Sequence, residues 1–170
     1  MSAIASAETT RRFAAKFTLL AFLATVAMLF AAFTASYVIR RTAADWRLVE
    51  LPKILWANTA VIALSSVTIE VARRRASQVW LVGTAILGVL FLLGQLAGWS
   101  ALAERGVFLP SQPHASFIYL LTAIHGVHLA GGLVALGFLL AKRGAIDLCA
   151  IYWHFLGLVW LYVLVVLALL

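Results

Sequence analysis

Two histidines lie one helical turn apart inside a long apolar run. His125 and His128 fall within residues 117–141, a stretch without a single Asp, Glu, Lys or Arg. Polar and ionisable groups are costly inside a hydrocarbon layer, so they occur there when they have a partner or a function. The sequence therefore makes these two imidazoles the first candidates for ligand chemistry or for buried hydrogen bonds.

The histidines could bind a metal ion or a haem, or they could form structural hydrogen bonds. Their positions argue against metal or haem ligation. On a helix they share one face about 4.5 Å apart along the axis, yet zinc takes three or four ligands and no cysteine or carboxylate falls at the same depth. A shared haem with His154 fails too, because His128 lies about 20 Å and His154 about 9 Å from the same side of the membrane. We expect no catalytic, cofactor-binding or metal-ligating residue, and hydrogen-bonded structural histidines instead.

A lone carboxylate, Glu70, closes an earlier apolar run. It precedes Arg73 and Arg74 by three and four residues, the spacing of helical ion pairs. His154 falls at the same predicted depth, and a carboxylate with an imidazole near a membrane surface can also relay protons. Glu70, Arg74 and His154 therefore form a candidate polar cluster, and the sequence leaves open whether Glu70 is proton-active or only ion-paired.

The composition sets the class of protein. Hydrophobic residues make up 65% of the chain, charged residues 11%, and the mean hydropathy is +1.06. A membrane-spanning helix needs about 20 apolar residues. We expect an all-α integral membrane bundle, one transmembrane domain over residues 1–170, with five spanning helices at about 17–37, 55–72, 79–98, 117–141 and 148–170.

Basic residues predict the direction in which the chain crosses the membrane. With five spans, eight of the 13 lysines and arginines fall on the side of the N-terminus. The positive-inside rule then places the N-terminus in the cytoplasm and the C-terminus in the periplasm. Because the basic residues flank the helices, the net charge of +7 indicates topology and lipid contact, and no nucleic-acid partner is expected.

Small and polar residues inside the apolar runs predict close helix packing. Gly94 and Gly98 form a GxxxG pattern, which allows two helix backbones to approach closely. Interhelical hydrogen bonds in membranes contribute about 0.6 to 2 kcal/mol each. The residues that we expect to pack or to form such bonds are Asn58, Gln95, His125, His128 and Gly131.

Several short segments together resemble subunit III of the haem-copper terminal oxidases, the family that includes cytochrome c oxidase. Their order and spacing match over residues 17–170. The segments are Leu51-Pro52-Lys53-Ile54-Leu55-Trp56-Ala57-Asn58-Thr59, Ser65-Ser66-Val67-Thr68-Ile69-Glu70, Gly94-Gln95, His125-Gly126-Val127-His128-Leu129-Ala130-Gly131-Gly132, Tyr152-Trp153-His154-Phe155 and Val159-Trp160.

The resemblance implies a non-catalytic subunit of a proton-pumping respiratory oxidase in the bacterial inner membrane. Such a subunit docks on subunit I, shares the complex with subunit II, binds phospholipid, and supports assembly, proton uptake and stability during turnover. Haem and copper are then expected in the partner subunits and not in this chain. The electron donor is cytochrome c or quinol.

The chain departs from the commoner family pattern in three ways. It has five predicted helices and not seven, Thr25 stands where the first helix often has a glutamate, and Gly157 stands where an aspartate often follows Tyr-Trp-His-Phe. A helper of a nitric-oxide reductase, or of another membrane redox complex, is the alternative function, and a free-standing transporter is a third. The subunits that co-purify with the chain distinguish them.

We predict that the chain purified alone shows no Soret absorbance. Its four histidines are not placed to hold haem, since His114 falls in a predicted connection and the other three differ in depth or share one helix. Absorption spectra of the isolated chain test this, and a stoichiometric haem spectrum would contradict it.

Overall fold

Five long α-helices make up the architecture. The computed structural model describes residues 2–109, 111–142 and 146–169. The helices are α1 (Ser2–Arg41), α2 (Lys53–Arg75), α3 (Gln78–Glu104), α4 (Pro113–Lys142) and α5 (Ile146–Leu169). All five are long and apolar enough to cross a membrane. The expected all-α class with five spans is confirmed, and the orientation of the termini stays a prediction.

The helices extend beyond the apolar stretches that predict them. Helix α1 begins at Ser2 and not near residue 17, and α3 ends at Glu104 and not near residue 98. The length of an apolar stretch corresponds to the thickness of the hydrocarbon layer. Polar residues at its ends can continue the helix into the region between hydrocarbon and water. In α1, Arg12 donates to Glu8 one turn earlier at 2.7 Å. The predicted end of α5 at residue 170 lies outside the described residues.

Helices α2 and α3 form a tight antiparallel hairpin. Ala76 ends α2 in the left-handed conformation, with φ 48° and ψ 38°, and its N–H donates to the carbonyl of Ala72. Ser77 N–H donates to the same carbonyl at 3.2 Å, and α3 begins at the next residue. Such a short connection between two helices keeps them side by side along their length.

Helix α5 lies between the remaining helices. It packs against α1, α2 and α4, while α3 packs against α2 and α4. Trp153 and Trp160 of α5 are fully buried in the core shared with α2, α3 and α4. A second core joins α1 to α4 and α5 and includes Phe30, Tyr37 and Val163.

The glycines of the GxxxG pattern lie where α3 meets α2. A Cβ on Gly94 would overlap the side-chain amide of Asn58, and a Cβ on Gly98 would lie 2.9 Å from Leu55 Cδ2. The predicted close packing is therefore present within the chain. Gly131 is different, because it lies on the exposed face of α4 and the nearest atom to an added Cβ is Tyr152 Oη at 4.0 Å. Packing at Gly131, within this chain or against a partner, therefore stays a prediction.

We predict that Gly94→Ala destabilises the chain. The added methyl group displaces the Asn58 amide and breaks its hydrogen bond to the Phe91 carbonyl. Overpacking of this kind costs about 1–3 kcal/mol. Thermal unfolding in detergent measures the effect, with Gly83→Ala on the same helix as the control, since nothing lies within 4 Å of a Cβ there. Equal unfolding temperatures for the two variants would contradict the prediction.

Candidate functional site

The C-terminal end of α2 carries an ionic cluster centred on Glu70. One carboxylate oxygen accepts from Arg73 Nη2 and from Arg74 Nε, both at 2.7 Å. The other oxygen accepts from Arg73 Nε at 2.9 Å. These are charge-assisted hydrogen bonds between residues three and four apart on one helix. The geometry is that of the ion pair that the spacing predicts.

Helix α5 brings two more titratable groups to the same place. His154 Nε2 lies 3.8 Å from Glu70 Oε2, which is too far for a direct hydrogen bond and close enough for attraction when the imidazole is protonated. Asp147, in the first turn of α5, lies 3.4 Å from Arg73 Nη1. The structure therefore brings Glu70, Arg74 and His154 together. Sequence reasoning missed Asp147, whose signal is an acid at the start of the helix that carries His154.

The cluster borders an open groove of about 410 Å³ between α2 and α5. The groove is lined by Ser66, Val67, Glu70, Val71, Arg74 and His154. The cluster lies partly on the surface of the chain, because 26% of the Glu70 side chain and 43% of the His154 side chain are exposed. The arrangement combines fixed charge, a carboxylate and an imidazole at an exposed edge of the bundle.

The two positions that lack the family's acids lie in different surroundings. A Cβ on Gly157 would lie 3.3 Å from Ser66 Oγ, so position 157 faces a residue that lines the groove. Thr25 lies on an exposed part of α1, and its hydroxyl donates to the Phe22 carbonyl within the same helix at 2.7 Å. Glu70 therefore supplies a carboxylate to the groove that Gly157 approaches, whereas Thr25 makes a local bond only in the structure described.

The two membrane-embedded histidines have different environments. His128 Nδ1 lies 2.8 Å from the Ile124 carbonyl, as a donor to it, and its own carbonyl accepts from Tyr152 Oη at 2.8 Å. His125 is fully buried against Phe91 and Trp160, with ring centroids at 5.6 and 5.3 Å. Neither of its nitrogens has a hydrogen-bond partner in the described part of the chain. The expected hydrogen bond is present at His128 and absent at His125.

The buried amides join α2, α3 and α4. Asn58 Nδ2 donates to the Phe91 carbonyl at 3.0 Å and links α2 to α3, as predicted from its position. Gln95 packs on Gly126, where an added Cβ would lie 2.8 Å from Gln95 Nε2. Gln95 Oε1 is buried and has no partner among the residues described. Both amides serve contacts between helices.

The described residues contain no cluster of three or more His, Cys, Asp or Glu side chains suited to hold a metal ion. His128 faces α1, where Phe22 and Phe30 have ring centroids 6.5 and 6.1 Å away. His154 instead faces Glu70 on α2. The two imidazoles thus have different neighbours in the structure described.

A second charged pair lies at the C-terminal end of α1. Arg40 donates from both terminal nitrogens to Asp45, at 2.7 and 2.6 Å. This bidentate bond holds the pKa of the Asp45 carboxyl below its usual range. The pair lines a cleft of about 630 Å³ beside the start of α4. Sequence reasoning missed it, because the partners are five residues apart across the end of a helix.

Comparison with known proteins gives a consistent set of relatives. The chain is 37% identical over 92 residues to a protein named probable cytochrome c oxidase subunit 3 from Mycobacterium bovis, covering 48% of this chain and 45% of that protein. The identity to the protein of the same name from Nocardia farcinica is 30% over 156 residues, covering 79% and 77%. A probable quinol oxidase subunit 3 from Staphylococcus saprophyticus is 28% identical over 133 residues, covering 68% and 66%.

The extent of these matches differs between relatives. The alignment spans about half the length of the mycobacterial proteins, 45% of it, whereas it spans 77% of the Nocardia protein. No model of a protein family matches the chain.

Proposed function

Because this chain belongs to the subunit 3 family of cytochrome c and quinol oxidases, we propose that it is the third subunit of a proton-pumping haem-copper respiratory oxidase in the bacterial cytoplasmic membrane. The match to the Nocardia protein over 79% of the chain carries this proposal. In it, the chain contains no catalytic centre. Subunit I, with subunit II in the same complex, holds the haem and copper, accepts electrons from cytochrome c or quinol, and reduces oxygen to water.

Docking on subunit I is the first role that we propose. The exposed face of α4 supports it, since Gly131 lies there between Val127 and Val134, whose side chains are 71% and 60% exposed. Among the residues that the structure describes, the nearest atom to a Cβ on Gly131 is Tyr152 Oη at 4.0 Å, which does not require a small residue. A glycine in such a place suits the close approach of a helix from a partner. We assign that partner helix to subunit I.

Phospholipid binding and proton uptake are the second role. The groove between α2 and α5 supports both, because it joins apolar side chains of the bundle to a partly exposed ionic cluster. Glu70 and His154 could collect protons at this surface, whereas the three bonds from arginines to Glu70 favour a structural ion pair. We assign proton collection to the groove as a whole. The variant Glu70→Gln distinguishes a proton-active Glu70 from one that is only ion-paired.

We predict that the chain co-purifies with a larger haem protein, and that Gly131→Leu weakens this association. The leucine side chain prevents the close backbone approach on the exposed face of α4. The measurement is the ratio of this chain to haem after gentle solubilisation and native electrophoresis. Gly83→Leu is the control, since Gly83 lies on α3 and nothing lies within 4 Å of a Cβ there.

Two outcomes would contradict the docking proposal. Equal ratios for both leucine variants would show that the face around Gly131 is not the docking surface. Migration of the wild-type chain alone, while the oxidase stays intact, would show that it is not a subunit.

We also predict that an oxidase depleted of this chain still reduces oxygen, but more slowly as pH rises and with faster inactivation during turnover. The redox centres lie elsewhere, while proton collection at the surface becomes limiting when protons are scarce. Oxygen consumption between about pH 6 and 9, at equal haem, measures the effect. Superimposable profiles and equal inactivation half-lives would leave a structural role only.

Glu70→Gln separates the two interpretations of the carboxylate. A proton-active Glu70 gives a smaller version of the depletion defect, with normal assembly. An ion-paired Glu70 gives reduced assembly with an unchanged pH profile. Asp147→Asn is the matched control, because it removes a carboxylate that pairs with Arg73 without touching Glu70.

A further inference from the structure

One hydrogen bond joins the connection between α1 and α2 to a helix far away in sequence. Val49 N–H, in this connection, donates to Nδ1 of His114 at 2.8 Å, and His114 lies in the first turn of α4. Among the residues that the structure describes, the other hydrogen bonds of residues 42–52 stay within the connection or reach the adjoining ends of α1 and α2. Apolar packing and this imidazole therefore hold the connection on the bundle.

The bond from Val49 requires the neutral form of the histidine. A backbone N–H can only donate, so Nδ1 accepts, and the proton of the neutral imidazole is then on Nε2. The Leu167 carbonyl, in the last turn of α5, is a hydrogen-bond acceptor for the same ring. Neutral His114 thus joins the connection, α4 and α5. A protonated imidazole carries an N–H on each nitrogen and cannot accept from Val49.

The surroundings of His114 are apolar and uncharged. The ring has no exposed surface, and its centroid lies 5.9 Å from that of Tyr37 on α1 and 5.3 Å from that of Trp46 in the connection. None of the ion pairs among the described residues includes His114. A buried charge without a partner of opposite charge is costly. The site therefore favours the neutral ring on two counts, the accepted bond and the burial.

The charged groups on the elements around the ring lie at the surface or are already paired. Residues 113–141 of α4 and 148–169 of α5 contain no Asp, Glu, Lys or Arg. The carboxylate of Asp45 accepts both terminal nitrogens of Arg40. The remaining charged residues of the α1 end, the connection and the α3 end are exposed, and they are Arg41, Arg47, Glu50, Glu104 and Arg105.

We propose that His114 is a pH-sensitive link between the connection and the bundle. The neutral imidazole accepts from Val49 and holds the connection against α4. Protonation removes the acceptor and leaves a positive charge in a buried site, so the protonated ring is stable only when the connection has separated and water reaches the imidazole. The linked form thus binds one proton fewer than the released form, and falling pH favours release.

The consequence of release depends on the side of the membrane on which the connection lies. In the orientation predicted from the basic residues, residues 42–52 face the periplasm, to which the proposed oxidase moves protons. Acid on that side then releases the connection. This consequence rests on the proposed function, whereas the link itself rests on the contacts of His114 and is tested on this chain alone.

Amide hydrogen exchange of the full chain in detergent tests the link, because exchange measures local opening. Rates between about pH 5 and 8 are divided by those of unstructured peptides at the same pH, which removes the intrinsic pH dependence of exchange. We expect the protection of residues 42–52 to be constant above about pH 6.5, the ordinary pKa of histidine, and to fall up to about tenfold per pH unit below it. Protection that does not change with pH overturns the proposal.

Two variants of His114 assign the titration to this residue. In His114→Asn the side-chain amide oxygen can accept from Val49 in place of Nδ1, and the amide takes up no proton. We expect protection close to the wild-type value at pH about 8 that no longer falls in acid. His114→Phe fills the site without an acceptor, and we expect low protection at every pH. Acid-dependent protection in His114→Asn, or full protection in His114→Phe, overturns the proposal.

The controls are a second histidine and a second connection. His154→Asn removes the imidazole beside Glu70, and we expect it to keep the wild-type pH dependence at residues 42–52. Loss of that dependence in His154→Asn overturns the proposal. The turn between α2 and α3, residues 76–78, is held by the Ala72 carbonyl without a histidine, so its protection should not fall in acid. If the His114 variants fail to fold, this comparison within the wild-type chain decides, because an equal loss at both connections overturns the proposal.

Discussion

The aromatic side chains of α5 must find hydrogen-bond acceptors in a layer that supplies no water, and the bundle is arranged around this requirement. A buried N–H or O–H without an acceptor is costly in hydrocarbon. Four of these side chains reach three different helices. The bonds are Trp153 Nε1 to Ser65 Oγ at 2.7 Å, Trp160 Nε1 to Thr59 Oγ1 at 3.1 Å, Tyr152 Oη to the His128 carbonyl at 2.8 Å, and Tyr162 Oη to Thr34 Oγ1 at 2.8 Å. Helix α5 is therefore tied to α1, α2 and α4 by directional contacts, and the apolar packing forms around them.

The position of the ionic cluster follows from these ties. The bonds from Trp153 to Ser65 and from Trp160 to Thr59 fix the register of α5 on α2, with the two helices antiparallel. In this register the His154 imidazole lies 3.8 Å from the Glu70 carboxylate. A shift of α5 by one turn, about 5.4 Å, would separate them. The position of the ionic cluster thus depends on the register that the buried hydrogen bonds fix.

The sequence predicts the helices and the ion pair because both depend on local order along the chain. Apolar length identifies five spans, and spacing of three and four residues identifies the partners of Glu70. Contacts that depend on the rotation of a helix about its axis are harder to predict. Gly131 and Gly126 both lie on α4, yet only Gly126 faces another helix of this chain, where it meets Gln95. Small residues identify a close approach without identifying which neighbour, in this chain or outside it, makes that approach.

His125 shows why depth matters as much as residue type. Its ring is enclosed by Phe91 and Trp160, and neither nitrogen has a partner in the structure described, so no route for protons is visible there. His154 is 43% exposed and lies beside a carboxylate. An imidazole exchanges protons with water only where water or a chain of hydrogen bonds reaches it. Of these two histidines, His154 combines an exposed surface with a neighbouring carboxylate, whereas His125 is buried among aromatic rings.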